Sequence, residues 1–249
     1  MTEPSSGRPG LRHRAIAELV GTAFLVMAVV GSGIAAQRLS PDDIGLQLLE
    51  NALATGAALA ALIIALQPAS AAFNPVVTAL ERLTGALNAR HAVTLVAAQI
   101  LGGLVGVVVA NLMFSEPAVS LSTTERGGPG RWLGEVIATA GLVLLITALS
   151  RTGRPQLIGW AVGAYITAGY WFTSSTSFAN PAVTIARIFS DTFAGIAPAS
   201  VPMFLLAQIA GGTVGYGLAR TIYHRPTLTT VTQENRHELD TAGDRGPRR

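Results

Sequence analysis

Cysteine is absent from this 249-residue chain, and so is lysine: all 17 basic residues are arginine. Without cysteine there is no disulfide scaffold, no thiolate-held zinc or iron–sulfur cluster and no thiol nucleophile. Without lysine there is no Schiff-base chemistry and no Walker A phosphate loop. Charge of either sign is also scarce. The 17 basic and 14 acidic residues make up 12% of the chain, about half of the ~25% usual in soluble domains. That is too little to cover a soluble surface. A disordered chain is excluded from the other side, because 50% of the residues are hydrophobic and disorder needs the opposite balance. The net charge of +3 does not point to nucleic acid, since the arginines are scattered along the chain. The expected surroundings are membrane lipid.

The missing charge is missing in blocks. No charged residue occurs in 51–80, 91–115, 155–186 or 192–219, and the stretches 15–37 and 132–150 each carry one, Glu18 and Glu135. A helix needs about 20 mostly apolar residues to cross a bilayer. Six spans are therefore predicted, at about 15–36, 45–66, 91–113, 132–150, 156–173 and 200–222. An even number puts both termini on one side. That side carries 13 arginines and the other 4, so the positive-inside bias predicts cytoplasmic termini and a multi-pass protein of the inner (plasma) membrane. Residues 1–11 and 224–249 are polar and without apolar period, and are expected to be cytoplasmic tails around a membrane domain over 12–223.

The two halves repeat. Ala17-Glu18-Leu19-Val20-Gly21-Thr22 corresponds to Gly134-Glu135-Val136-Ile137-Ala138-Thr139. Asn74-Pro75-Val76-Val77-Thr78 corresponds to Asn180-Pro181-Ala182-Val183-Thr184, and Ala98-Gln99 through Gly103 to Ala207-Gln208 through Gly212. The offsets are 117, 106 and 109, collinear enough to mark a duplication, with repeat one about 12–113 and repeat two about 131–222. Three spans per repeat is an odd number, so the second repeat enters from the opposite face and the repeat is inverted.

The Asn-Pro segments are too short to span. Asn is a good N-cap and Pro suits the first helical position, so each segment is predicted to be a half-helix about 12 Å long. Two half-helices entering from opposite faces would meet N-terminus to N-terminus near the midplane. Their irregular entry loops require burial in protein or a wet cavity. Taken singly, Asn74 and Asn180 read as simple N-caps; as a symmetric pair they read as pore donors beside two positive dipole ends. Intramembrane carboxylates such as Glu18 and Glu135 are functional by default, as in proton relays, which leaves a proton-coupled secondary transporter as an alternative.

Over about residues 14–222 these motifs resemble the aquaporin/aquaglyceroporin (major intrinsic protein) family. The resemblance rests on the paired Asn-Pro boxes, the repeated Glu and the repeated Ala-Gln-x-x-Gly-Gly. It implies an all-α membrane fold of six transmembrane helices plus two re-entrant half-helices. It further implies one pore per subunit, a homotetramer, passive flux of water or small neutral solutes, no cofactor or metal, and no enzymatic activity. The pore motifs would be Asn74, Pro75, Val76, Asn180, Pro181 and Ala182. Glu18 and Glu135 would buttress the re-entrant loops by accepting their backbone N–H groups.

The departures from the family bear on the solute. The first box reads Asn-Pro-Val instead of Asn-Pro-Ala, and Ala72 stands where a histidine is usual. Most members carry Arg three residues after the second Asn; here that residue is Val183. The remaining filter positions correspond to Thr55 (or Ala54), Ser177, and one of Ile166, Thr167 and Ala168. With the usual Arg, aromatic and His all absent, a wide and apolar filter is expected, suited to glycerol-like polyols. A water-selective aquaporin is the alternative. Arg187, four residues beyond Val183, is expected at the outer vestibule, either repelling cations or snorkelling and pairing with Asp191. The stretch 180–202 is similar to a bacterial subgroup linked to arsenic detoxification, also with Val at the filter. That similarity implies passage of undissociated arsenous acid or methylated arsenicals.

Overall fold

The apolar runs become helices in the computed structural model, which describes residues 9–223. In chain order these are α1 (Leu11–Leu39), α2 (Ile44–Leu66), α3 (Pro75–Leu83), α4 (Ala89–Met113), α5 (Pro129–Arg151), α6 (Ile158–Phe172), α7 (Pro181–Ala186) and α8 (Val201–Ile222). No strand occurs among the described residues. The expected tails at 1–11 and 224–249 lie outside them, apart from 9–11. Among the described residues five helices are long and apolar enough to cross a membrane. Of the six predicted spans the exception is α6, whose 15 residues span about 22 Å at 1.5 Å per residue. A 3-10 turn at Pro155–Leu157 lengthens it at its start, and extended backbone at Thr173 ends it.

Helix ends follow local chemistry. Asp43 caps α2 by accepting from Leu46 N–H at 2.9 Å, and Asn88 caps α4 by accepting from His91 N–H at 2.8 Å. The helix circumference stays apolar because its outer solvent is lipid as well. Phe24, Leu101, Leu133, Trp160 and Leu206 are all more than half exposed.

The duplication is visible in the packing. α1 lies against α4, and α5 against α8 in the second half. Both pairs approach so closely that only glycine fits. A Cβ at Gly102 would lie 2.2 Å from Leu19 O, and one at Gly211 would lie 2.4 Å from Val136 O. One turn on, Gly106 and Gly215 face Ala23 O and Ala140 O at 2.4 and 2.2 Å. The halves join through α2 against α6, where a Cβ at Gly163 would lie 2.6 Å from Gly56 O. Small residues at helix contacts let backbones approach where lipid supplies no hydrophobic drive. The short helices α3 and α7 meet each other inside this frame.

The start of α1 and the end of α3 share a face, as do the end of α5 and the end of α8. Arg151 donates to the Tyr223 carbonyl at 2.6 Å, and Arg14 reaches Glu81 at the end of α3 at 3.5 Å. On the opposite face, residues 114–128 lie over the loop that follows α7. Ser122 N–H bonds Ile188 O at 2.8 Å, Ala197 N–H bonds Thr124 O at 2.8 Å, and Thr123 N–H bonds Asp191 at 2.8 Å.

Candidate functional site

Each Asn-Pro box starts a short helix as its residues dictate. Asn74 has extended backbone and its side-chain oxygen accepts from Val76 N–H at 2.9 Å; Pro75 is the first helical residue. Asn180 accepts from Ala182 N–H at 3.0 Å and Val183 N–H at 3.3 Å, with Pro181 next. The side-chain nitrogens cross between halves. Asn74 Nδ2 donates to Ala179 O at 2.7 Å, and Asn180 Nδ2 donates to Phe73 O at 2.7 Å. Each amide therefore ties down the residue preceding the opposite Asn. An NH2 group has two hydrogens, so one donor per Asn is left for the cavity that both residues line.

The residues so held are strained. Phe73 and Ala179 sit at φ 48° and 47°, a left-handed conformation that costs a residue with a side chain about 1–3 kcal/mol. Two buried carboxylates stabilise it. Glu18 accepts from Ala72 N–H at 2.9 Å, Phe73 N–H at 2.7 Å and Ser70 Oγ at 2.6 Å. Glu135 accepts from Phe178 N–H at 2.8 Å and Ala179 N–H at 2.9 Å. Gln99 donates to Glu18 and to Thr78 Oγ1, both at 2.8 Å; Gln208 donates to Glu135 at 2.7 Å and to Thr184 Oγ1 at 2.8 Å. The repeated Glu and the repeated Gln thus form one polar unit per half, each joining a spanning helix to a re-entrant loop. Val76, the unusual box residue, fills space opened by a glycine: a Cβ at Gly212 would lie 2.7 Å from Val76 Cγ1.

A cavity of about 610 Å³ runs past both Asn residues. Toward the face bearing the start of α1 and the end of α3 it is lined by Arg14, Glu81 and Arg151. Toward the other it is lined by Thr55, Ile166, Ser177 and Val183. Those four residues line the one cavity, and each is at most 6% exposed. The open choices resolve by helix rotation. Ile166 lines the cavity, while Thr167 turns to α2 and donates to Ala52 O at 3.4 Å. Ala168 lies on the exposed side of α6, and Thr55, rather than Ala54, reaches the cavity.

Three cavity-lining groups depart from the sequence expectation of an apolar wall without charge or aromatics. Tyr170 lies one turn beyond Ile166, and its hydroxyl is 3.2 Å from Thr55 Oγ1. Phe178, the residue before Ala179, also lines the cavity. Arg187 is neither a snorkelling residue nor a partner of Asp191: it is 2% exposed. Its Nε donates to Ala194 O, its guanidinium carbon lies 3.5 Å from the centre of the Phe178 ring, and it lines the same cavity. The expected ion pair is absent because Asp191 is taken by Thr123, whose N–H and hydroxyl reach it at 2.8 and 3.0 Å. The i, i+3/i+4 periodicity of α6 was the available signal for Tyr170. Nothing in sequence spacing signalled the Phe178 contact.

A second arginine reaches the same ring from the loop between α4 and α5. Arg126 Cζ is 5.1 Å from the Phe178 centre. Its Nε donates to Gly195 O at 2.7 Å and a terminal nitrogen to Phe193 O at 3.1 Å. Burial, aided by nearby Arg131, lowers its pKa to about 10, so it remains cationic at neutral pH. Among the described residues no group of three His, Asp or Glu side chains could hold a metal ion.

The geometry can be set against known proteins. The family profile described as Major intrinsic protein matches residues 7–159. The chain is similar to the aquaglyceroporin AqpS of Rhizobium meliloti (strain 1021), 45% identical over 227 residues that cover 90% of this chain and 97% of the relative. It is also similar to a probable TIP-type aquaporin of Medicago truncatula, 30% identical over 196 residues, 74% of this chain and 77% of the relative. In fold it is similar to the X-ray structure of the aquaglyceroporin from Plasmodium falciparum. That likeness has a TM-score of 0.64 at 20% identity and covers 86% of this chain and 96% of the other.

Proposed function

The chain belongs to the major intrinsic protein family, and on that premise we propose that it passes uncharged solutes larger than water. Glycerol-like polyols, undissociated arsenous acid and methylated arsenicals form the candidate class. At the coarser level it is a multi-pass membrane channel for water and small solutes, and not an enzyme. The observation that carries the finer reading is Val183 on the cavity wall beside Ser177 and Ile166. An apolar residue there leaves more room than the usual guanidinium and does not force solutes into single file. Undissociated arsenous acid is neutral at pH 7 and resembles glycerol in shape. The similarity to the Rhizobium aquaglyceroporin supports the polyol class.

The roles of the site residues follow from the same reading. Asn74 and Asn180 offer donors where two half-helix N-termini meet, so a cation encounters a positive field and a water chain is interrupted. Glu18 and Glu135 hold the entry loops and carry no protons across. The channel is a homotetramer of the inner membrane with both termini in the cytoplasm, in keeping with 13 arginines on the terminal side against 4 on the other. Light-scattering swelling of proteoliposomes tests the proposal with water, glycerol, urea and arsenous acid, with and without a pH gradient. Fast glycerol and arsenous acid flux, indifferent to the gradient, is expected. Water flux alone would overturn the wide filter, and strict dependence on the gradient would overturn passive conduction.

A further inference from the structure

Val183 leaves the filter without a cation at its usual place, yet an arginine lines the same cavity. Arg187 N–H donates to the Val183 carbonyl, so Arg187 lies one helical turn beyond it on the same face. A helical side chain leans toward the N-terminus of its helix and covers the preceding turn. The lean is measurable here, because the guanidinium carbon rests 3.5 Å from the centre of the Phe178 ring, and Phe178 adjoins Ser177. Arg187 Nε is fixed on the Ala194 carbonyl. Its two terminal nitrogens bond no described residue and are not closed off, so they open onto the cavity that Arg187 lines. The Ser177 hydroxyl does not share that opening: it is closed off against α6, where a Cβ at Gly169 would lie 2.6 Å from it.

We propose that Arg187 is the filter cation of this channel, carried by the next helical turn and laid back over Phe178, and that its free N–H groups form the polar edge of the solute site. This rests on the channel reading above. Ile166 and Val183 form the apolar side, so the preferred solute is neutral, with hydroxyls along one edge and carbon or an equivalent apolar surface along the other. The planar guanidinium fork presents two parallel donors to such an edge. Arg126 is a positioning residue: its guanidinium carbon stands 5.1 Å from the centre of the Phe178 ring, and the group is itself held by the Gly195 and Phe193 carbonyls. The bore is therefore wide at residue 183 without being open to cations.

The absence of native cysteine makes Arg187→Cys a single reporter thiol. Wild-type proteoliposomes should pass glycerol and exclude Na⁺ and K⁺. Arg187→Cys should raise cation leak roughly tenfold or more, because an opposing charge acts strongly in a low-dielectric bore. A positively charged methanethiosulfonate should restore exclusion, and a negatively charged one should not. Arg187→Lys keeps the charge and loses the fork, so it should keep cations out and change the ranking of glycerol over urea. Arg126→Gln should give a smaller leak of the same kind and a weaker glycerol preference. A folded Arg187→Cys that ignores both reagents, or shows neither leak nor altered ranking, overturns the assignment. Should that variant fail to fold, an unchanged ranking in Arg187→Lys overturns it. A wild-type protein that passes no neutral solute refutes the channel reading instead.

Discussion

Glu18→Gln exchanges one carboxylate oxygen for an NH2 group and leaves the side chain's shape intact. The carboxylate accepts four hydrogen bonds. Ser70 Oγ (2.6 Å) and Ala72 N–H (2.9 Å) reach one oxygen; Phe73 N–H (2.7 Å) and Gln99 Nε2 (2.8 Å) reach the other. An amide can offer its oxygen to only one pair. On the Ser70 side the hydroxyl can turn and accept, which orphans Ala72 N–H. On the other side Gln99 can rotate its amide, since its Oε1 has no partner among the described residues, which orphans Phe73 N–H. One backbone donor, the part-buried Ala72 N–H or the buried Phe73 N–H, is lost either way, at about 1–3 kcal/mol, and the two surviving bonds lose about 1 kcal/mol each of charge assistance. Relief of the buried charge offsets part of that, leaving a net cost of about 2–4 kcal/mol. This matches or exceeds the ~1–3 kcal/mol of strain held at Phe73, so the loop should relax and release Asn180 from the Phe73 carbonyl. The assay pairs thermal unfolding in detergent with glycerol flux in proteoliposomes. A lower unfolding midpoint and reduced flux at every pH are expected, with Glu135→Gln behaving alike. Unchanged stability and basal flux, with loss only of a response to an imposed pH gradient, would refute the buttress and make Glu18 a proton carrier.

Two further outcomes follow from close contacts. Gly102→Val puts a Cβ 2.2 Å from the Leu19 carbonyl, so α1 and α4 must separate; folded yield should collapse on size-exclusion chromatography, and a normal monodisperse peak would contradict the packing. Tyr170→Phe removes one neutral hydrogen bond to Thr55, worth about 0.5–1.5 kcal/mol, so glycerol flux should change by less than about tenfold; complete loss of flux would mean that Tyr170 itself handles the solute.

The spans were legible because lipid writes a simple rule into sequence. A crossing helix must be apolar along its length, and the predicted 45–66 and 200–222 differ by at most a residue from Ile44–Leu66 and Val201–Ile222. The short helices were legible for another reason. Asn-Pro is a local cap signal, and its recurrence in the same order as the Glu and Ala-Gln motifs marks the duplication. α6 came out one turn less helical than expected because its start is a 3-10 turn at Pro155.

The filter was legible only as positions, and only in part. A membrane helix is apolar on every face, so its sequence carries no strong signal of rotation about its axis. Each residue step turns the side chain about 100°, which is why Ile166, Thr167 and Ala168 could not be separated until α6 was seen against α2. Side-chain reach is likewise invisible in spacing. Four residues beyond Val183 predicted an arginine farther out at the mouth. The ring of Phe178 and the carbonyl of Ala194 bring its guanidinium back into the cavity, while Thr123 takes the aspartate it would have paired with. The sequence by itself determined the membrane class, the inverted repeat and the absence of arginine at position 183, because each depends on local composition and order. Only the tertiary structure decided that a cation stands in the cavity all the same, because that depends on contacts among Arg126, Phe178, Arg187 and Ala194, which come from different elements of the fold.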